Sequence, residues 1–150
     1  MIRTLSKHSP ETKEFLKYIR EDLKAHRVHL SFSRTRKVRF SKELLTAGFF
    51  QEPSHRKWGK IRIGSGNRKS INILVNLAHE YIHFLQWKNG DCQWTGGTED
   101  FIEGESYILL EERTERDAIR LLREWGIPAN YNAMRMRSKA YLAHLRRTET

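Results

Sequence analysis

His79 and His83 stand four residues apart with Glu80 beside the first, an H-E-x-x-H motif inside a run from Ser70 to Trp87 whose apolar residues recur at helical period. No other stretch constrains the chain as much, because helical pitch sets residues four apart one turn above each other on one face. Asn72, Asn76, His79, His83 and Gln86 form a polar stripe at spacings of four, three, four and three, while Ile73, Leu74, Leu77, Ala78, Tyr81, Ile82 and Leu85 supply apolar surface around it. A helix of this kind is mostly buried and keeps one polar seam. Both imidazoles on that seam can reach one metal ion, with Glu80 set beside it. Zn²⁺ is preferred on ligand type, although a site of two His and a carboxylate also accepts Mn²⁺, Fe²⁺ or Co²⁺. Such an ion acidifies a water toward pKa ~7, and a neighbouring carboxylate can take its proton and hand it to a leaving amine. The expectation is a Zn²⁺ site with His79 and His83 as ligands and Glu80 as catalytic base.

A third protein ligand is needed. The extended metzincin pattern requires Gly at position 86 and His at position 89, where this chain has Gln86 and Asn89, and no further His follows until His144 in a basic tail. A downstream carboxylate is the natural candidate. From Ile102 to Trp125 runs a second helical pattern, Glu-rich at its start and Arg-rich toward its end, the sense that suits the helix dipole. Glu111, Glu115, Ala118, Leu122 and Trp125 share one stripe of it, so two carboxylates continue an apolar face and need partners there. Glu115 is the first choice for the third ligand, with Glu111 and Glu112 behind it.

His79-Glu80-Tyr81-Ile82-His83, the downstream Glu115-Arg116-Asp117-Ala118-Ile119-Arg120-Leu121-Leu122 and the closing Trp125-Gly126-Ile127-Pro128 together resemble the ImmA/IrrE-type metallopeptidases. The second motif of that family reads Glu-x-Glu-Ala-Asn-x-Phe-Ala; Asp117, Ile119 and Leu121-Leu122 stand here in place of its second Glu, its Asn and its Phe-Ala. The resemblance covers roughly residues 60–128. It implies zinc held by His79, His83 and Glu115, Glu80 as catalytic base, and a protein or peptide substrate. SprT/Spartan-type proteases are also small and basic, but the third His of that pattern is not found.

The implied architecture is an α+β, zincin-like single domain over residues 1–150: an N-terminal helix, a small twisted sheet, the H-E-x-x-H helix, a second Glu-bearing helix and a basic C-terminal helix. Residues 129–150 form a basic helical extension in this reading. Ser9-Pro10-Glu11 predicts a helix start leading to about Ala25. Val28, Leu30 and Phe32 alternate with polar residues as a strand, with Val38 to Phe40 as its return, followed by a loop through Gly48 and Pro53. Gly59 to Gly64 alternates as a strand just before the motif helix. In zincin-like folds such a strand is the edge along which an extended peptide lies. Gly64 to Ser70 mimics a phosphate loop without its spacing and reads as a turn, and Gln93 to Gly97 reads as a connector near the cleft. Tyr131, Tyr107 and Tyr141 are the candidate oxyanion donors.

Charge is segregated along the chain. Residues 1–69 hold 18 Lys and Arg against 6 Asp and Glu, a net of +12; residues 70–127 hold 5 against 11, a net of −6; residues 128–150 hold 5 against 1, a net of +4. The acidic part coincides with the metal motif, and two basic segments flank it. Arg34, Arg36, Lys37 and Arg39, with Arg135, Arg137 and Lys139 further on, form an electropositive surface suited to nucleic acid or a nucleic-acid-bound substrate such as a repressor. The competing class is a nucleic-acid-binding or adaptor protein with a structural or inactive zincin site. Cys92 is alone, so a disulfide framework within the chain is excluded and the thiol reads as filler. Without an apolar leader or a membrane-length apolar run, a cytoplasmic protein with no membrane partner is expected.

Overall fold

The computed structural model describes residues 9–42, 44–91 and 105–148. Cys92 and the Gln93–Gly97 segment lie outside them, as does the side chain of Tyr107. The chain is mixed α+β, with four helices and a small sheet among the described residues.

Helix α1 (Pro10–Ala25) starts where the sequence puts it: Pro10 occupies the first turn, and the Ser9 hydroxyl accepts the Thr12 amide at 3.3 Å. Phe15, Leu16, Ile19 and Leu23 fall on one face and are buried. Each such side chain contributes about 1.5–3 kcal/mol through the water it sheds, which fixes the helix on the core. Tyr81 Oη donates to Asp22 Oδ2 at 2.5 Å and Lys88 Nζ lies 3.2 Å from Asp22 Oδ1, so α1 is also tied to the motif helix by polar contacts.

Strands β1 (Val28–Ser33), β4 (Gly48–Gln51) and β5 (Gly59–Gly64) form one sheet in the order β1-β5-β4, while β2 (Val38–Arg39) and β3 (Leu45–Thr46) form a separate antiparallel ribbon. Two expectations are corrected here. Val38 to Phe40 does not return along β1, because the intervening turn is closed locally: Thr35 N donates to Ser33 Oγ at 3.2 Å and Thr35 Oγ1 to Lys37 O at 2.7 Å. The segment after Gly48 is a strand and not a loop, with Phe49 and Phe50 both buried. Consequently β5 sits in the centre, parallel to β1 and antiparallel to β4, and β4 becomes the edge on the motif-helix side. An edge strand in sequence cannot be told from a central one when its partner is as short as Gly-Phe-Phe-Gln.

The pleat sorts the sheet residues by face, Phe49 being the buried exception on the outer side, where it packs on Phe40. Val28, Ile61, Ile63 and Phe50 enter the core and Leu30 and Phe32 pack against it, while His29, Lys60, Arg62 and Gln51 are exposed on the opposite face.

Helix α2 (Ser70–Lys88) carries the motif, and helix α3 (Glu105–Glu124) packs along it. Ile73, Leu74, Leu77, Ala78, Tyr81 and Ile82 of α2 are buried, as are Ile108, Leu110, Ala118 and Leu122 of α3. Helix α4 (Tyr131–Thr148) docks on α3 through Met134 and Leu142, so the basic C-terminal segment is part of the packed structure. No helix of the described residues is long and apolar enough to cross a membrane.

Candidate metal centre

The polar stripe of α2 and the carboxylate stripe of α3 face each other across a seam. His79 Nε2 lies 3.3 Å from Glu111 Oε2, His83 Nε2 lies 3.3 Å from Glu111 Oε1, and His79 Nδ1 lies 3.0 Å from Glu115 Oε1. His79 therefore meets both Glu111 and Glu115, while His83, one turn on, meets Glu111. This is the order antiparallel helices impose: moving forward along α2 moves backward along α3. Level with both imidazoles stands Glu111, buried at 5% exposure, and the ligating atoms of His79, His83 and Glu111 all lie within 4.8 Å of one another.

The trio gathered here is not the one the sequence puts first. Glu111 takes the place between the two imidazoles, Glu115 takes the far nitrogen of His79, and Glu112 points away to pair with Arg146 of α4 at 3.0 Å. Spacing put Glu111 and Glu115 on one face and gave no means to choose between them, because the choice depends on how far α3 slides along α2.

The donor set could hold a metal ion: two imidazole nitrogens and one carboxylate are three protein ligands, a number that leaves a fourth position of a tetrahedral ion open. The two imidazoles face different oxygens of Glu111, His79 Nε2 toward Oε2 and His83 Nε2 toward Oε1.

Behind the donors is a second layer of hydrogen bonds that fixes the rings. Gln86 Oε1 lies 2.8 Å from His83 Nδ1, Gln86 Nε2 donates to Thr114 Oγ1 at 2.8 Å, and Thr114 Oγ1 donates to Leu110 O at 2.7 Å. On the other side Ser138 Oγ of α4 donates to Glu115 Oε2 at 2.6 Å, which orients the carboxylate on His79 Nδ1. Both imidazoles thus use the remote nitrogen for a protein acceptor, leaving Nε2 for the seam. Of these supporting groups, Gln86 lies on the polar stripe visible in sequence, and Thr114 follows Glu111 by three residues on the buried face. Ser138 carries no sequence signal at all.

The same groups set one another's protonation. Burial works to lower the His79 pKa, but the charge of Glu111, hydrogen bonds with Glu111 and Glu115 and the charge of Glu80 raise it well above the usual histidine value. Burial works to raise the Glu111 pKa, and the charge of His79 with hydrogen bonds from both imidazoles holds it far below the carboxylate range. Glu115 is lowered for like reasons, burial opposing and His79 and Ser138 prevailing. Glu80 moves the other way: burial raises its pKa, the His79 and His83 charges oppose, and Glu111 and Glu115 reinforce the rise. It makes no hydrogen bond among the described residues. A carboxylate with a raised pKa and no fixed partner is poised to accept and release a proton.

Strand β4 passes next to this residue, since a Cβ added at Gly48 would stand 3.6 Å from Glu80 Cγ. A cavity of about 190 Å³ opens beside His79 between α2, α3 and α4, lined among others by Asn76, Glu115, Arg137, Ser138 and Tyr141. A larger groove of about 530 Å³ lies on the outer side of Glu115, floored by Ile119 and Leu142, and contains neither imidazole. Of the candidate oxyanion donors, Tyr141 lines the cavity with His79, whereas the Tyr131 hydroxyl donates to Ile127 O and its ring lies under the Arg123 guanidinium. In comparisons with family models, curated proteins and solved structures, nothing matches the chain.

Proposed function

We propose that the protein is a metal-dependent peptidase of zincin-like architecture, with Zn²⁺ held by His79, His83 and Glu111 and with Glu80 as the catalytic base. The observation that carries this reading is the α2–α3 seam, where three ligating side chains converge beside a carboxylate that has no hydrogen-bond partner among the described residues. A metal bound by such donors supplies Lewis acidity toward a water and a scissile carbonyl. Glu80 takes the proton of the attacking water and returns it to the departing amine, and burial, by raising its pKa, makes it a stronger base than an ordinary carboxylate. Glu115 and Gln86 hold the imidazoles in the tautomer that presents Nε2. Tyr141 is the candidate donor to the developing oxyanion. Strand β4, at the end of its sheet among the described residues, would be the strand beside which an extended peptide lies next to Glu80, so that recognition would depend little on substrate sequence.

Peptide chemistry is supported by the edge strand beside the base and by the resemblance of the two motifs to ImmA/IrrE-type metallopeptidases. A digest of a mixed peptide library by zinc-loaded protein, read by mass spectrometry, tests it. Cleavage should fall by about 10²–10⁴ in Glu80→Gln with bound metal unchanged. Equal cleavage by Glu80→Gln, or none by the loaded protein, would sink the peptidase reading.

A further inference from the structure

The face of the sheet turned away from the helices is the second unusual region of the molecule. Residues 27–69 hold 12 Lys and Arg against 2 Asp and Glu, and the pleat concentrates them. Lys60 and Arg62 project from the central strand β5, exposed, with His29 and Ser31 beside them across the β1 register. At one end of β5 stands Trp58, 39% exposed, with the His29 ring stacked on one face of its indole at 4.6 Å and 22°. Exposed Arg56 and Lys57 precede it on a turn that Arg27 anchors by donating to Ser54 O at 3.2 Å.

At the other end, the basic run Arg34 to Lys37 is pinned to the sheet by backbone. A Cβ at Gly64 would lie 2.1 Å from Arg36 O, and one at Gly66 2.2 Å from Arg34 O, so neither glycine can be replaced without displacing the run. Arg68 closes the contact, donating Nε and Nη2 to Arg36 O at 3.2 and 3.0 Å. Partial burial and the neighbouring Arg36 charge lower the Arg68 pKa, the mark of cations held closer than they would choose. Arg135, Arg137 and Lys139 belong elsewhere: they are on α4, where Arg137 donates to Asn72 of α2 at 3.3 Å and lines the cavity beside His79.

A fixed row of cations along a pleated face, with an exposed indole at its end, matches a strand of phosphates whose bases are free to stack. Duplex would satisfy the cations but leave the indole unused, since paired bases are already stacked on each other. An acidic peptide would likewise make no use of a flat aromatic platform. We propose that the outer sheet face, from Trp58 and His29 across Lys60 and Arg62 to Arg34 and Arg36, binds single-stranded nucleic acid, with a base stacked on Trp58 and phosphates along the Lys and Arg row. The metal seam lies on the helical side of the sheet, so the two sites can be occupied separately.

Fluorescence anisotropy of a labelled oligothymidine with the full chain tests this, with an equal-length duplex and polyglutamate as competitors. Single strand should bind at low salt and compete better than duplex or polyglutamate, with log K falling linearly in log salt. Trp58→Ala should weaken binding by roughly ten-fold with little change in salt slope, while Lys60→Ser with Arg62→Ser should shallow the slope by about one. Unchanged zinc content in both variants shows that they remain folded. No binding at low salt, tighter competition by duplex or polyglutamate, or full affinity in Trp58→Ala would each overturn the assignment.

Discussion

The α2–α3 seam and the outer sheet face are both rich in ionisable groups, and they treat charge in opposite ways. In the seam, His79, His83, Glu111 and Glu115 are partly or wholly withdrawn from water and face one another across distances of 3.0 to 3.3 Å. On the sheet face, Lys60, Arg62, Arg34 and Arg36 are exposed and share one sign. Groups taken out of water must be matched, because an unpaired buried charge costs far more than its packing returns. Exposed cations face no such demand, and they can stay uncompensated until an anion arrives. On the proposed readings the seam takes a cation and the sheet face an anion, with the core between them.

Substitutions should expose that difference. Gln86 supports His83 from behind, so Gln86→Ala leaves a ring nitrogen and Thr114 without their acceptor and donor. Zinc affinity, measured by competition with a chromophoric chelator, should drop by about 10–100-fold although no ligand has been touched. An unchanged affinity would mean that the hydrogen-bond chain does not orient the site.

Acidity gives the next largest effect. Metal binding needs His79 deprotonated, and its pKa is raised well above the usual histidine value, so protons compete with the metal to higher pH than they would at an ordinary histidine. Zinc affinity should rise with pH beyond the usual histidine range and level off once the raised pKa is passed. The protein's own stability runs the other way for this residue: a raised pKa contributes stability that is complete below the unfolded value and fades as pH climbs through the folded one. Glu111 and Glu115, with lowered pKa values, contribute above the unfolded carboxylate value and lose it as pH falls. Affinity that levels off already at the usual histidine pKa would show that the His79 pKa is not raised.

The sheet face should be the quiet side of the comparison. Lys60→Ser and Arg62→Ser remove exposed side chains whose contacts are weak, Lys60 Nζ 5.8 Å from the Phe49 ring and Arg62 Nη1 3.4 Å from Ser31 Oγ, and chemical denaturation should place each within about 0.5 kcal/mol of the parent. Larger losses would mean that the row is part of the fold rather than a surface laid on it.

What could be read in the sequence follows from what local periodicity encodes. The α1 start at Ser9-Pro10, the α2 span and the inward placement of Glu111 and Glu115 all depend on residues within a turn or two, and they were legible. The motif itself named His79, His83 and Glu80. Which carboxylate meets both imidazoles depends on the offset between α2 and α3, which is set by how the two helices pack, and no single-helix pattern contains it. The same holds for β4: Phe50 is buried against Phe84 and Trp87 of α2 and Phe49 against Phe40 on the other face, and the strand beside the base could be recognised only once its partners were in place. Ser138 was invisible because its role arises from α4 docking on α3, far along the chain from His79.

The most direct test of the metal centre is elemental analysis, with zinc titration, of untagged protein alongside Glu111→Gln and Glu115→Gln. The parent should carry about one zinc per chain. Glu111→Gln should lose it, whereas Glu115→Gln, which keeps one oxygen to accept from the His79 ring and turns its amide group to donate to Ser138 Oγ, should retain it with affinity reduced by no more than about 10–100-fold. Zinc retained in Glu111→Gln but lost in Glu115→Gln would reverse the ligand assignment, and a parent that binds no zinc on titration would contradict the centre itself.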